Sequence, residues 1–177
     1  MRYISGLLAI IILLSASAAR ADTNGAGDFT PDEFRVTPYC GVYHFDRNKI
    51  RNGRHLNEEP WCMGGALGWK VDDTIKAGVM AMDFRNSIYK RTVIAGAYVE
   101  DDLYQNVKKD GLIDDCGLGL TAGGQIVKGY DTPVIGEVYG YCEKWRVRAN
   151  MTIVPPLGSE VDAAAIWTVD LKLWEFQ

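Results

Sequence analysis

The sequence has few of the residues on which most catalytic and metal-binding readings are built. Of its 177 residues only two are histidine, His44 and His55, and no C-x-x-C pair occurs among Cys40, Cys62, Cys116 and Cys142. Zinc-type spacing is therefore missing, so no metal is expected, and no motif calls for a cofactor. Beyond residue 21 the chain carries two serines, Ser87 and Ser159, which leaves few places for a serine nucleophile. No apolar run reaches the roughly 20 residues that a membrane-spanning helix needs. Basic residues are not in excess, since 19 Lys and Arg stand against 23 Asp and Glu for a formal charge of −4. Nucleic-acid binding rests on a clustered basic surface, so this balance argues against such a partner.

What is present begins with Arg2, an apolar stretch at Gly6–Leu14 and small residues ending in Ala19-Arg20-Ala21. A short basic start, an apolar core of this length and an A-x-A-type site predict a secretory signal over residues 1–21, with the mature chain starting at Asp22. Export to the bacterial envelope follows, with the outer membrane as the expected location and the periplasm as the alternative. The even count of four cysteines suits such an oxidising compartment. Two disulfides are allowed, and three pairings stay open.

After a polar lead over residues 22–36, period-two alternation dominates. Between Lys144 and Val154, Trp145, Val147, Ala149, Met151 and Ile153 share one face, while Arg146, Arg148, Asn150 and Thr152 share the other. Between Ala163 and Leu173, Ala163, Ala165, Trp167, Val169, Leu171 and Leu173 oppose Thr168, Asp170 and Lys172. This is strand spacing with no helical period. Six further segments alternate less cleanly, at about 37–46, 60–71, 75–86, 90–100, 115–127 and 133–142. Turn-like stretches separate them, including Asp72-Asp73, Lys128–Asp131 and Pro155–Asp162. The expectation is one all-β domain over 37–177, an eight-stranded antiparallel up-and-down β-barrel.

Periodicity leaves open which face points outward. A soluble, lipocalin-like carrier turns its apolar face inward around a ligand, whereas a membrane barrel turns it outward to lipid. The export signal favours the membrane form, as do strands near the 9–11 residues of a tilted span. Gly64, Gly68, Gly117, Gly119 and Gly123 fall in phase with polar residues, which suits a narrow packed lumen. Tyr39, Trp61, Trp69 and Trp145 near strand ends suit aromatic girdles. Phe176 is out of phase, falling with Asp170 and Lys172.

Several short segments occur in an order that resembles one family. Asn57-Glu58-Glu59-Pro60-Trp61 with Gly64-Gly65, then Ala81-Met82-Asp83-Phe84-Arg85-Asn86-Ser87, is similar to outer-membrane lipid A palmitoyltransferases (PagP-like). Ile94-Ala95-Gly96, Gly117–Gly123 and Met151–Pro155 follow in the same order, so the resemblance covers about residues 43–176. It implies an eight-stranded outer-membrane barrel that moves an acyl chain from a phospholipid to lipid A. The implied functional residues are a His, an Asp and a Ser at the extracellular end, above a hydrocarbon-lined lumen. Ser87 matches the Ser, Asn86 stands in place of the Asp, and His44 is the histidine on a matching strand. Tyr98 occupies the position of the glycine that floors the family's acyl pocket. Pro60, Pro133 and Pro155 correspond to its gate-associated prolines, and Glu137 replaces another.

With the N-terminus periplasmic, a meander puts His44 and Ser87 at the outer rim, where a hydroxyl and a positioned base could serve acyl transfer. Asn86 cannot act as a carboxylate, which removes the group that orients the base. Arg146 and Arg148 are expected to point inward and to pair with acids such as Asp83, Asp170 or Glu100, leaving little space for a palmitoyl chain. Two function classes lead: a non-enzymatic outer-membrane barrel and a lipid acyltransferase using Ser87 and His44. A soluble periplasmic carrier of an apolar ligand is the third. Expected partners are outer-membrane lipids, including lipopolysaccharide at the basic loop Arg47–Arg54, with the chain itself a monomer.

Overall fold

Alternating side chains with turn residues between them give ten strands, and among the described residues there is no helix. A computed structural model describes residues 30–45, 50–51, 54–57, 60–86, 88–106, 110–127, 134–154 and 163–175. The strands are β1 (Glu33–His44), β2 (Ile50–Arg51), β3 (Arg54–His55), β4 (Cys62–Lys70), β5 (Ile75–Arg85), β6 (Arg91–Gln105), β7 (Asp115–Val127), β8 (Val134–Lys144), β9 (Val147–Val154) and β10 (Ala164–Glu175). β2 and β3 pair only with each other, and the other eight form a closed antiparallel barrel. Each barrel strand pairs with its neighbours in sequence, and β1 closes the ring between β10 and β4. Closure leaves no open sheet edge. The expected signal over 1–21, Ser87, Pro133, Pro155, Phe176 and part of the basic loop lie outside the described residues.

Three boundaries differ from the sequence reading. β1 starts at Glu33, so Arg35 belongs to the barrel and not to a lead. β6 continues to Gln105, past the expected end near residue 100. The alternation read from Lys144 to Val154 crosses a hairpin: β8 ends at Lys144, and Trp145-Arg146 form a two-residue turn before β9. The turn inverts the phase: Lys144 pairs with Val147 and Glu143 with Arg148, so Lys144 shares the face of Val147 and not, as the alternation had it, that of Arg148. Arg146 is therefore exposed on the turn and is not a lumen cation.

Strand register sorts the side chains into two faces. Arg35, Ala66, Met80, Gly96, Gly123, Asn150 and Asp170 point into the barrel, and residues of opposite phase point out. The outward set is apolar and largely open, including Leu118, Leu120, Val138, Met151, Ile153, Trp167 and Leu171. On β4–β6, Leu67, Ala81, Asp83 and Val93 also face outward but are buried. The inward set carries most of the buried charge, including Glu33, Arg35, Glu100, Glu143, Arg148 and Lys172.

Those six side chains form a closed ring of alternating sign. Arg35 Nε lies 3.0 Å from Glu33 Oε1, out of line for a hydrogen bond, and Arg35 Nη1 donates to Glu100 Oε1 at 3.0 Å. Arg148 Nη1 donates to Glu100 Oε2 at 2.7 Å, and its Nε donates to Glu143 Oε2 at 3.0 Å. Lys172 Nζ closes the circuit, 2.5 Å from Glu143 Oε1 and 3.7 Å from Glu33 Oε2. Tyr139 adds a hydroxyl donor to Glu100 Oε1 at 2.7 Å. A buried charge without a partner costs several kcal/mol, and alternation gives every member two. Beside the ring, Asp102 takes Lys76 Nζ at 3.1 Å and the Tyr141 hydroxyl.

Three inward tyrosines fill the remaining width, and each lies over a glycine. A Cβ on Gly78 would sit 2.5 Å from Tyr98 Cε1, one on Gly117 would sit 2.7 Å from Tyr141 Cζ, and one on Gly119 would sit 2.6 Å from Tyr139 Cε2. The rings stack on guanidiniums, with Arg35 4.8 Å from the Tyr98 centroid and Arg148 4.3 Å from that of Tyr141. Cation–π contact adds attraction where water is excluded.

Two disulfides resolve the pairing that the sequence left open. Cys116 and Cys142 are direct cross-strand partners in β7 and β8, with a Cα–Cα distance of 4.1 Å. Cys40 and Cys62 join β1 to β4, with a Cα–Cα distance of 5.9 Å. The second matters for closure, because the β1–β4 ladder covers only Glu33–Thr37 against Gly64–Gly68. Pro38 follows, and it has no N–H to continue the ladder.

Glu100→Ala would remove the acceptor shared by Arg35, Arg148 and Tyr139. Arg35 would keep only Glu33 and Arg148 only Glu143. Breaking a buried ionic network in this way predicts a loss of about 3–5 kcal/mol, read as a lower urea midpoint; an unchanged midpoint would show that the ring does not hold the barrel. On the 71–74 turn, Asp72 Oδ1 accepts from Ile75 N at 2.7 Å and Thr74 N at 2.8 Å. These backbone donors, Ile75 first, hold the Asp72 carboxyl below the usual carboxylate range. Its stabilising contribution is present above the unfolded pKa and is lost as pH falls through the lower folded one. Asp72→Ala should therefore lower the urea midpoint at pH 7, and the gap to wild type should narrow in acid.

Candidate functional site

The strand ends divide the barrel into two rims. β1 begins and β10 ends at a terminal rim, which also carries the connections 71–74 and 145–146 and residues 106 and 110–114. His44, Cys62, Arg85, Arg91 and Ala164 mark the opposite, distal rim, where His44 and Asn86 fall. His44 ends β1 on the lumen side, opposite Ala164, and is 4% exposed. Asn86 follows β5 and is 2% exposed. The topology thus brings His44 and Asn86 to one rim, on strands that flank β4. Ser87, between Asn86 and Ile88, lies outside the described residues.

Asn86 has a specific local task. Its Oδ1 accepts from Ile88 N at 3.1 Å and Lys90 N at 2.9 Å, and its Nδ2 donates to Thr92 Oγ1 at 3.3 Å. Main-chain bonds from Asn86 N to Lys90 O and from Tyr89 N to Asn86 O close the turn, with Tyr89 at φ 63°. Asn57 Nδ2 donates to the carbonyls of Arg85 and Asn86 at 3.4 Å each, tying the segment before β4 across the end of β5. Both ends of the Asn86 carboxamide thus serve the β5–β6 turn, a structural use for which Asn is well suited. Pro60 is buried just ahead of β4, with its carbonyl 3.5 Å from Cys40 Sγ.

Tyr98 is not part of this rim. It lies six residues beyond Thr92 on β6, about 20 Å along a strand, and its ring belongs to the charged layer under Arg35. Between rim and ring lies a cavity of about 80 Å³, lined by Thr37, Met80, Met82, Glu137, Asn150 and Ile166, with Arg35, Tyr98, Glu100 and Tyr139 toward the ring. Drug-sized ligands occupy pockets of roughly 300–1,000 Å³, so this space suits a few waters better than a long acyl chain.

The expected cation partners are sorted differently from the sequence reading. Arg148 does pair with Glu100. Asp170 instead accepts from Thr37 Oγ1 at 2.7 Å and Asn150 Nδ2 at 2.8 Å. Asp83 faces outward, where Arg91 engages it through Nε at 3.1 Å and Nη2 at 2.7 Å. Asp83 therefore lies on the wrong side of the wall to serve a lumen cation or to orient His44. Among the described residues no cluster of His, Cys, Asp and Glu is arranged to hold a metal ion.

Sequence reasoning missed Glu33, Arg35, Glu143 and Lys172 as members of one network. The signal available was their sign alternation at lumen phase, but their partners are set by cross-barrel proximity and not by spacing. Compared with known proteins, the chain matches no protein-family model and no curated protein.

If Asn86 organises the turn, Asn86→Ala should cost about 1–3 kcal/mol, the range for losing buried hydrogen bonds, while Asn86→Asp should retain most of the stability through the two backbone acceptor bonds. Urea titration of both variants checks this, and equal stability of Ala and wild type would count against the role.

Proposed function

We propose that this chain is a transmembrane β-barrel of the bacterial outer membrane that acts as a non-enzymatic envelope protein, through its rims and outer wall. The observation that carries the reading is the polarity of the wall: a neutral ring of buried charges inside, and open leucine, valine, isoleucine and tryptophan side chains outside. A water-surrounded carrier needs the reverse, whereas lipid as the outer solvent makes this arrangement favourable. A closed ladder satisfies the backbone groups that lipid cannot. Exposed aromatics at both rims support the same placement, with Tyr43, Phe45 and Trp61 on the distal side and Tyr104, Trp145 and Trp174 on the terminal side. The signal-like segment 1–21 supports export. Outer-membrane lipids are then the surrounding partners, lipopolysaccharide among them, and a closed barrel without free edges suits a monomer.

Palmitoyl transfer is the less supported reading, despite the resemblance to lipid A palmitoyltransferases. The lumen that would take the acyl chain holds the ionic ring and three tyrosines. The residue in the place of the family's Asp is an amide engaged in a turn. The soluble-carrier reading also loses support, because the apolar face does not enclose the cavity.

Membrane fractionation of the expressed mature protein, followed by gels with and without heating, tests the reading. The expected result is an outer-membrane protein whose unheated form migrates faster. A soluble periplasmic protein with no heat shift would overturn it. Lipid A mass should be unchanged by expression. A palmitate-bearing species that disappears with Ser87→Ala would establish the transferase in its place.

A further inference from the structure

At the distal end of β5 and β6 the outer wall changes from apolar to basic. Arg85 and Arg91 are direct cross-strand partners, and both are exposed on the same outward face. Like charges placed opposite each other are destabilising unless an anion shares them. Arg91 is partly balanced by Asp83, which holds its guanidinium through Nε and Nη2. Arg85 makes no ion pair or side-chain hydrogen bond among the described residues, and neither does the exposed side chain of Lys90 beside it. Lys90 is fixed in position by its backbone N–H to Asn86 Oδ1, so the turn presents this cation instead of leaving it on a free loop.

The neighbouring strand supplies the apolar half. Trp61 O accepts from Arg85 N at 2.8 Å, which places Trp61 next in the same row, 53% exposed. One step down, the row reads Met63, Asp83 and Val93, and below it Gly65, Ala81 and Ala95. An indole and two guanidiniums thus stand at one level, with Lys90 one step beyond them in the turn, above the row of Met63, Asp83 and Val93. Guanidiniums favour phosphate because their donor fork matches its oxygens, and an amphipathic ring marks the level where headgroups lie.

We infer that Arg85, Lys90 and Arg91, with Trp61 beside them, form a site on the outer wall for a phosphate group carried by a lipid of the distal-side leaflet. The inference rests on the membrane reading and names the partner of that wall. The lipid lies outside the barrel as a bound neighbour, and no bond is made or broken.

The test uses the full mature chain in detergent, with the heat shift on gels as the control for a folded barrel. Folded protein is mixed with phosphatidylcholine vesicles carrying either diphosphorylated lipid A or the same lipid after phosphatase treatment, and the lipid A retained after re-isolation is measured. Wild type should retain more of the phosphorylated form, by about tenfold, the effect of one charge-assisted hydrogen bond or more. Arg85→Gln with Lys90→Gln should reduce retention to that of the dephosphorylated lipid while keeping the heat shift. Equal retention of both lipids by wild type would overturn the site, as would an unaffected double variant. Full displacement by inorganic phosphate would overturn the assignment to a lipid-borne group. A chain with no heat shift that stays out of vesicles would instead remove the membrane reading on which the site depends.

Discussion

Carboxylates and cations shut away from water are tolerable only when each has a partner of opposite sign, and the lumen of this barrel meets that constraint with a closed circuit. Glu33, Arg35, Glu100, Arg148, Glu143 and Lys172 each touch two members of opposite charge, and three negative groups balance three positive ones. The circuit draws on β1, β6, β8, β9 and β10, so it ties strands that are not neighbours in the sheet. Its geometry dictates much of what surrounds it. Tyr139 supplies a further donor to Glu100, while Tyr98 and Tyr141 pack against the guanidiniums. Those rings need the volume that Gly78, Gly117 and Gly119 leave free. A side chain at any of these glycines would push a tyrosine into the circuit, so the glycines and the charges form one packing problem.

The circuit also separates the two ends of the molecule chemically. Toward the terminal rim it continues into Asp102, Lys76 and Tyr141. Toward the distal rim it leaves a cavity too small for a long hydrocarbon. An eight-stranded barrel has an interior just wide enough for side chains, and whatever volume they occupy is closed to a ligand. The same self-pairing that makes charge acceptable inside removes the interior as a reaction chamber. Polar side chains turned inward also leave the apolar phase of every strand facing out. Lumen chemistry and outer-wall chemistry are thus two consequences of one parity choice.

The fold class was legible because β9 and β10 alternate without interruption, and Arg148, Asn150 and Thr152 do take the lumen phase that their spacing implies. Glu100 was a foreseeable partner for Arg148. What spacing could not convey was the shift of phase inside strands. In β1 the register slips between Val36 and Tyr39. Arg35 and His44, which strict alternation puts on opposite faces, therefore both point inward. A second shift in β6 between Asp102 and Tyr104 has the same effect beyond the expected strand end. Bulges of this kind add a residue without a reliable composition signal. The Trp145-Arg146 turn was equally silent: Trp145 sits at φ 56° with none of the Gly, Asn or Asp residues that usually mark such a conformation.

Asn86 shows why the candidate site was harder to read than the fold. Under the resemblance it stands in the place of a catalytic carboxylate and invites a chemical interpretation, and only its partners reveal what it does. Its acceptor oxygen bonds two amides of the β5–β6 turn, and its donor reaches Thr92 behind that turn. An aspartate would match the acceptor half of this pattern but not the donor half, so the amide is the better fit to this turn. The outcome is a rigid hairpin that fixes Lys90 and Arg91 next to Arg85 at the edge of the apolar wall. Under the proposed reading, the position that a transferase would use for chemistry serves here to orient a basic surface toward headgroups. On that reading the working face of the rim is its outer one, because the interior behind it is filled.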